Sequence, residues 1–184
     1  MDPERLSRWE ETFRYYSLAY YYELLASALT RRWDRWGSGM GFVIALTSSG
    51  SAISGWAVWN QNIAGSIVWA VLVGIAAVLS IVQSQLNIRS HIKAQRRLRK
   101  RFSGIRNALQ ITLFDIVAGH DLAGIDKQLR TQRTRYFALA ASIDPDFAET
   151  SALRERVRAD RDVVLNELGF FEKGILREAD GIQR

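Results

Sequence analysis

The sequence predicts an all-α membrane protein, in which a two-helix transmembrane hairpin carries a cytoplasmic helical bundle formed by the N-terminal helix and the C-terminal helices. Three observations support this prediction. Residues 36–88 are 53 consecutive positions without Asp, Glu, Lys, Arg or His, although charged residues make up 24% of the chain. The sequences on either side are highly charged and place apolar residues at helical spacing. No strand-like alternation occurs, so we expect α-helices throughout.

The uncharged stretch is long enough for two membrane spans. One span needs about 20 apolar residues, and a single helix of this length would far exceed the ~30 Å hydrocarbon core. We therefore predict a hairpin over residues 37–85, with spans at about 39–59 and 63–82. The polar turn Asn60-Gln61-Asn62 joins them. The alternative is a buried helical hairpin outside a membrane, which would need more covering apolar surface than a chain of this size offers.

Basic residues on both sides of the hairpin predict its orientation. Arg31, Arg32 and Arg35 precede the first span, and a run of Lys and Arg begins at Arg89, whereas the turn has no charge. Cytoplasmic flanks of membrane spans are enriched in Lys and Arg. We therefore expect both termini in the cytoplasm, with an amphipathic helix over residues 1–36 and a cytoplasmic helical region over 86–184.

Small and hydroxyl-bearing residues occupy particular faces of the two spans. Thr47, Ser51 and Ser54 share one face of the first span and are the candidate pore or oligomer face. Small residues let helix backbones approach closely in lipid. The candidates for such packing are Gly37, Gly41, Gly55, Ser66, Ala70 and Gly74. In the alternative interpretation the hydroxyls bond back to their own helix and the glycines pack only within the hairpin.

The charged flanks contain several amphipathic helices. An aromatic stripe that includes Trp9, Phe13 and Tyr16 is more typical of a core than of a ligand site. After the second span, one apolar seam has coiled-coil-like spacing. Its members are Leu98, Phe102, Ile105, Leu109, Thr112 and Ile116. Gly119 is the expected end of that helix and Asp121 the expected cap of the next. Asp144-Pro145 is predicted to begin the last helix.

The segment from Arg89 to Arg106 contains eight Lys and Arg residues and no acidic residue. Such a segment favours contact with anionic lipid headgroups. A binding site for a nucleotide or another anion is the second interpretation, and nucleic-acid binding is disfavoured because the net charge is only +6. The candidate headgroup or anion contacts are Arg96, Arg97, Lys100 and Arg101.

The sequence contains none of the common catalytic motifs, such as a phosphate-binding GxxxxGK[ST] loop, GxSxG or HExxH. There is no cysteine, and the two histidines, His91 and His120, do not form a metal-ligand pattern with the scattered acids. We therefore expect no enzyme, no catalytic residue, no cofactor and no metal site.

The order of segments resembles a known group of proteins. An aromatic and basic helix leads into LTRRWDRWGSGMGFVIALTSSGSAISGWAVW, a short NQN turn, IAGSIVWAVLVGIAAVLSIV, and a long basic helix. This layout resembles the SLATT group of two-transmembrane effector domains of bacterial conflict and nucleotide-signalling systems. The resemblance implies a bacterial inner-membrane effector in antiviral defence that oligomerises and permeabilises the membrane when an upstream sensor acts. It transfers no catalytic or ligand residue.

The sequence thus predicts an oligomeric inner-membrane effector that forms a pore or disrupts the membrane and is gated by its cytoplasmic helices. Its expected partners are the lipid bilayer, further copies of the chain, and an upstream sensor protein or nucleotide signal, but no nucleic acid. The alternative is a membrane-anchored scaffold or adaptor with a helical docking domain. A small ion-coupled transporter is disfavoured, because no charged residue lies in the predicted spans.

Overall fold

The protein is described by a computed structural model. The structure describes residues 1–48, 71, 74–75, 77–78, 80–82, 87–143, 146 and 148–168. Its regular elements are the helices α1 (Pro3–Ser48), α2 (Ile88–Val117), α3 (Leu122–Ala141) and α4 (Ser151–Leu168). The predicted all-α class is therefore confirmed for the described part of the chain.

The predicted transmembrane hairpin is wrong for the part of the chain that the structure describes, where no helix is both long enough and apolar enough to cross a bilayer. In α1 the uncharged residues follow a charged stretch that ends at Arg35, and the last described residue of the helix is Ser48. The other three helices carry charged residues along their length, including eight in α4. The prediction of a multi-pass protein of the bacterial inner membrane with cytoplasmic termini depended on the hairpin and is wrong for the same reason. Residues 49–70, which hold most of the first predicted span and part of the second, lie outside the described residues.

The chain divides into two compact units, Thr30–Ala94 and a larger unit formed by Met1–Leu29 together with Gln95–Arg184. The larger unit has a core to which α1, α2 and α3 all contribute. Its buried members are Tyr16, Ala19, Phe102, Ile105, Leu109, Leu129, Tyr136 and Leu139. Helix α4 adds the half-buried Leu165 to this core.

Helix α2 buries the seam predicted from its sequence spacing. Phe102, Leu109 and Ile116 are almost completely inaccessible, and Thr112 is fully buried among them. The Thr112 hydroxyl donates to the Ala108 carbonyl at 3.0 Å, which satisfies its polar atom inside the core. Recurrence at three and four residues keeps these side chains on one face of a helix, and that face is the one that packs.

The aromatic stripe of α1 is core, as predicted. Trp9 and Tyr16 are buried, and Phe13 is half-buried between them. The ring centroids of Trp9 and Phe13 are 5.0 Å apart, and those of Phe13 and Tyr16 are 6.2 Å apart. Trp9 packs with Ile116 and Ile125 in a second, smaller cluster of buried residues.

The loop between α2 and α3 reverses the chain through Gly119, whose φ is +80°. The Asp121 carboxylate accepts a hydrogen bond from the Gly124 amide at 3.1 Å and caps α3, as predicted. From the start of α1, the Arg5 guanidinium donates to the carbonyls of Gly119 at 3.1 Å and His120 at 2.9 Å. Both carbonyls lie in the loop just beyond α2, so these bonds join the start of α1 to that loop.

The last helix begins later than the sequence predicted. Helix α4 begins at Ser151, and the Thr150 hydroxyl accepts a hydrogen bond from the Leu153 amide at 3.3 Å. Thr150 is therefore the capping residue, whereas Asp144-Pro145 lies outside the described residues. The preceding Asp146 carboxylate accepts a hydrogen bond from the buried Gln95 amide at 3.0 Å.

The smaller unit pairs the second half of α1 with the start of α2. The Trp33 ring stacks on the His91 ring with centroids 4.6 Å apart, and Trp33 is buried. A Cβ atom on Gly37 would lie 3.4 Å from Cγ2 of Ile88, so the backbones approach closely at this glycine. Helix α1 passes Gly37 without a break, although the sequence placed a domain boundary there.

Candidate functional site

An open cavity of about 740 Å³ lies between α2 and α3 in the larger unit. Three of its lining residues are cationic: Lys100 and Arg101 from α2, and Arg135 from α3. The other lining residues are Gly104, Ile105, Gln132, Ala138, Leu139 and Ser142. No lining residue is acidic, so the charge of the cavity is positive.

The three cations of this cavity have no ion-pair partner among the described residues. Other basic residues of the same unit do have partners. Arg8 Nε lies 3.0 Å from Oδ1 of Asp126, and Arg106 Nε lies 3.3 Å from Oε2 of Glu23. The positive charge at the cavity is therefore not offset by nearby carboxylates, unlike that of Arg8 and Arg106.

Gln132 contributes a buried acceptor to the cavity lining. Its Oε1 atom is buried and has no hydrogen-bond partner in the described part of the chain. A buried polar atom without a partner costs about 1–3 kcal/mol. Gln132 therefore lines the cavity and carries an acceptor that no described residue satisfies.

Gly104 is a second unusual residue of the cavity wall. It lies inside α2, where glycine is less favourable than alanine by roughly 1 kcal/mol. A Cβ atom added at Gly104 would meet no heavy atom within 4 Å among the described residues. Packing against those residues therefore gives no reason for glycine at this position, and its effect is to leave the cavity open.

The sequence identified part of this site. Lys100 and Arg101 line the cavity, whereas the predicted Arg96 and Arg97 are exposed residues of α2 outside its lining. Sequence analysis missed Arg135 and Gln132, because they lie on α3 and reach the cavity only through tertiary packing.

Most of the residues predicted to form the pore face or to pack the two spans lie outside the described part of the chain. Ser51, Ser54, Gly55, Ser66 and Ala70 lie outside the described residues, as does the side chain of Thr47. A Cβ atom at Gly41 or Gly74 would meet no described atom within 4 Å. The roles assigned to these residues stay predictions.

A stripe of exposed apolar side chains runs along the outer face of α2. Its residues are Ile111, Phe114 and Val117, with exposed fractions of 59%, 49% and 46%. At 100° per residue, this stripe points away from the buried face that contains Thr112 and Ile116. The end of α2 is therefore apolar on two opposite faces, which its sequence seam alone did not indicate.

Two buried tyrosines of the larger unit have raised pKa values. Burial raises the pKa of Tyr136 to about 12, with contributions from the neighbouring Tyr22 and Tyr15. Burial also raises the pKa of Tyr16, although the nearby Arg106 opposes this shift. Both phenols therefore stay neutral near neutral pH, and neither is prepared as a base.

The histidine and acidic residues form no metal-ligand cluster in the part of the chain that the structure describes. His120 Nδ1 lies 3.1 Å from Oδ1 of Asp115, in an exposed pair at the end of α2. Within the described ranges, no group of three or more His, Asp or Glu residues could hold a metal ion. The cavity and the outer stripe of α2 are therefore the candidate functional features of the larger unit.

Comparison with protein-family models, curated protein sequences and solved structures gives no match to this chain. The resemblance to the SLATT group stays a prediction.

Proposed function

We propose that this protein is a self-associating helical adaptor, in which the outer face of α2 binds the same face of a second copy. The observation that carries the proposal is the exposed stripe of Ile111, Phe114 and Val117. Apolar side chains on an outer helix face, next to a fully formed core, are typical of a surface that another protein covers.

The occupant that we propose for this stripe is a second copy of the chain. In a two-fold symmetric dimer the same patch meets itself, so it must be self-complementary. The stripe contains no charged residue, and therefore no like charges would oppose each other at its centre. The flanking Gln110 and Asp115 are half-buried polar residues, which suit the rim of such an interface.

The proposal retains two expectations from the sequence, self-association and a helical docking surface. The pore or membrane-disrupting role depended on the transmembrane hairpin and is not carried forward. The adaptor role involves no reaction, and its partners are further copies of the chain together with whatever protein the assembled form recruits.

The test is the mass of the purified chain by mass photometry and by light scattering after gel filtration, over a range of concentrations. We expect a dimer or larger assembly that Ile111→Glu and Phe114→Glu convert to monomers. Val163→Glu is the matched control, because Val163 is 58% exposed and lies on α4, outside the stripe. Circular dichroism should show the same helix content in all four proteins.

Two results would overturn the proposal. A wild-type chain that stays monomeric at every concentration has no self-association to explain. An assembly that survives both α2 substitutions, or that Val163→Glu disrupts equally, does not use the outer stripe.

A further inference from the structure

We propose that the cavity between α2 and α3 binds a small organic phosphate, with its phosphoryl groups on Lys100, Arg101 and Arg135 and its uncharged body over the apolar floor. This ligand site goes beyond the proposed self-association and uses a different face of α2. The molecule is defined by its chemistry: at least two negative charges at one end, and a largely apolar body with a hydrogen-bond donor at the other.

The anionic end follows from the charge of the cavity. Three cationic side chains converge on it from two helices, and none is paired with a carboxylate of the described chain. A phosphoryl group accepts several charge-assisted hydrogen bonds, and the planar guanidinium groups of Arg101 and Arg135 can each donate two. A single carboxylate would leave part of this charge without a partner.

The body of the ligand follows from the floor and the volume. Ile105, Ala138 and Leu139 give the cavity an apolar surface beside its cations. Its volume of about 740 Å³ lies within the range of roughly 300–1,000 Å³ that is common for small-molecule sites. Inorganic phosphate alone would leave the apolar floor uncovered, whereas an organic phosphate would cover both the three cations and the floor.

Gln132 supplies the polar contact to that body. Its buried Oε1 lacks a partner among the described residues, and it lies on the same helix as Arg135. When the Gln132 side chain turns towards the cavity, an N–H or O–H group on the ligand would satisfy this oxygen. Such a donor is present on nucleobases and sugars, which makes a nucleotide a suitable probe.

Gly104 explains how the ligand gains access to the floor. It lies at the cavity wall, and a Cβ atom there would project into space that no described atom occupies. Glycine inside a helix weakens it, so a side chain at this position should strengthen α2 while it narrows the cavity. Stability and ligand binding are therefore expected to change in opposite directions at this one position.

The experiment is isothermal titration calorimetry of the full chain with ADP, using adenosine and pyrophosphate as partial probes. We expect ADP to bind and adenosine to bind at least about 100-fold more weakly, because adenosine lacks the charged end. Pyrophosphate should bind more weakly than ADP by about tenfold or more, because it lacks the body. Affinity should also fall as salt is raised.

Matched variants locate the site. Lys100→Gln and Arg135→Gln should each weaken ADP binding about tenfold, and Gln132→Leu about fivefold. The controls are Arg99→Gln on α2 and Arg130→Gln on α3, exposed cations outside the cavity lining, and both should change affinity less than twofold. Gly104→Ala should raise the unfolding midpoint in urea and lower ADP affinity, and Gly104→Leu should abolish binding without unfolding the chain.

Each of the following results would overturn the proposal. ADP fails to bind, or Arg130→Gln weakens it as much as Arg135→Gln. Adenosine binds as tightly as ADP, which would show that the three cations do not contribute to the affinity. The chain binds vesicles that contain phosphatidic acid but no soluble organic phosphate, which assigns the three cations to a lipid headgroup instead. Gly104→Leu folds and still binds ADP with unchanged affinity.

Discussion

Arg106 and Glu23 form an ion pair inside the larger unit, with Nε of Arg106 3.3 Å from Oε2 of Glu23. The side chains are only 25% and 13% exposed, and the Arg106 guanidinium also lies over the Tyr20 ring, with its carbon 5.3 Å from the ring centroid. This pair joins α2 to α1 at the edge of the core. It also removes Arg106 from the set of basic residues that are available to an anion.

Loss of one partner of this pair should destabilise the protein. Glu23→Gln leaves the Arg106 charge largely buried without its carboxylate, and we expect a loss of about 2 kcal/mol in the free energy of unfolding. Urea denaturation followed by circular dichroism measures it. The matched change is Asp162→Asn, since Asp162 is 54% exposed and pairs at 2.6 Å with Arg161. That surface pair should contribute less than about 1 kcal/mol. Equal losses would contradict a buried role for the Arg106 pair.

The two faces of α2 should respond differently to truncation. Leu109 is completely buried in the main core, so Leu109→Ala should cost about 3 kcal/mol through lost contacts and the cavity it leaves. Ile111 is on the exposed stripe, and Ile111→Ala should cost less than about 1 kcal/mol in the monomer. Urea denaturation at low protein concentration separates these effects. A larger loss for Ile111 than for Leu109 would show that the faces are assigned the wrong way round.

The turn between α2 and α3 should be sensitive at two positions. Asp121→Ala removes the cap of the Gly124 amide and should cost about 1 kcal/mol, whereas Asp121→Asn keeps an acceptor and should cost little. Gly119→Ala should cost about 1 kcal/mol, because φ of +80° disfavours a residue with a Cβ atom. Unfolding midpoints in urea test both, and a neutral Gly119→Ala would contradict the left-handed conformation.

Stability should fall at high pH because of Tyr136. Its pKa is raised from 10.0 to about 12 by burial and by the neighbouring Tyr22 and Tyr15. In the unfolded chain the phenol ionises near pH 10, whereas in the folded chain it stays protonated. The contribution of the neutral Tyr136 phenol to the free energy of unfolding is therefore complete below pH 10 and is lost as the pH rises towards 12. Urea denaturation between pH 8 and 12 should show this decline.

Tyr136→Phe is the variant that isolates this effect. It has no ionisable group at this position, so its stability should depend less on pH than that of the wild type between pH 10 and 12. Part of the decline should persist, because burial raises the pKa of Tyr16 as well. Identical pH profiles for the two proteins would contradict a raised pKa for Tyr136.

The sequence was informative where local spacing decides the structure. The seam from Phe102 to Ile116 and the stripe that contains Trp9 and Tyr16 follow from the helical repeat, and both are buried. The cap at Asp121 follows from the chemistry of a short side chain before a helix. These features depend on neighbours three or four residues away, which a single sequence displays directly.

Features that depend on distant neighbours could not be predicted in this way. Arg135 and Gln132 join Lys100 at one cavity only because α3 packs along α2, and nothing in either segment alone indicates that arrangement. The outer stripe of Ile111 and Phe114 was missed because the buried seam already accounted for the apolar pattern of α2. The hairpin prediction rested chiefly on the uncharged stretch and its basic flanks. In the described chain the uncharged residues up to Ser48 continue a helix whose earlier turns are charged.

The contact between Arg5 and the loop that follows α2 has a consequence for how the chain folds during synthesis. Arg5 and His120 are separated by 115 residues. At roughly 5–20 residues per second, about 6–23 s pass between the synthesis of Arg5 and that of its partner. Until α2 and then α3 are synthesised, the aromatic side chains of α1 lack the helices that cover them in the folded chain. The nascent first helix is therefore expected to be a binding site for chaperones at the ribosome until the loop at Gly119 emerges.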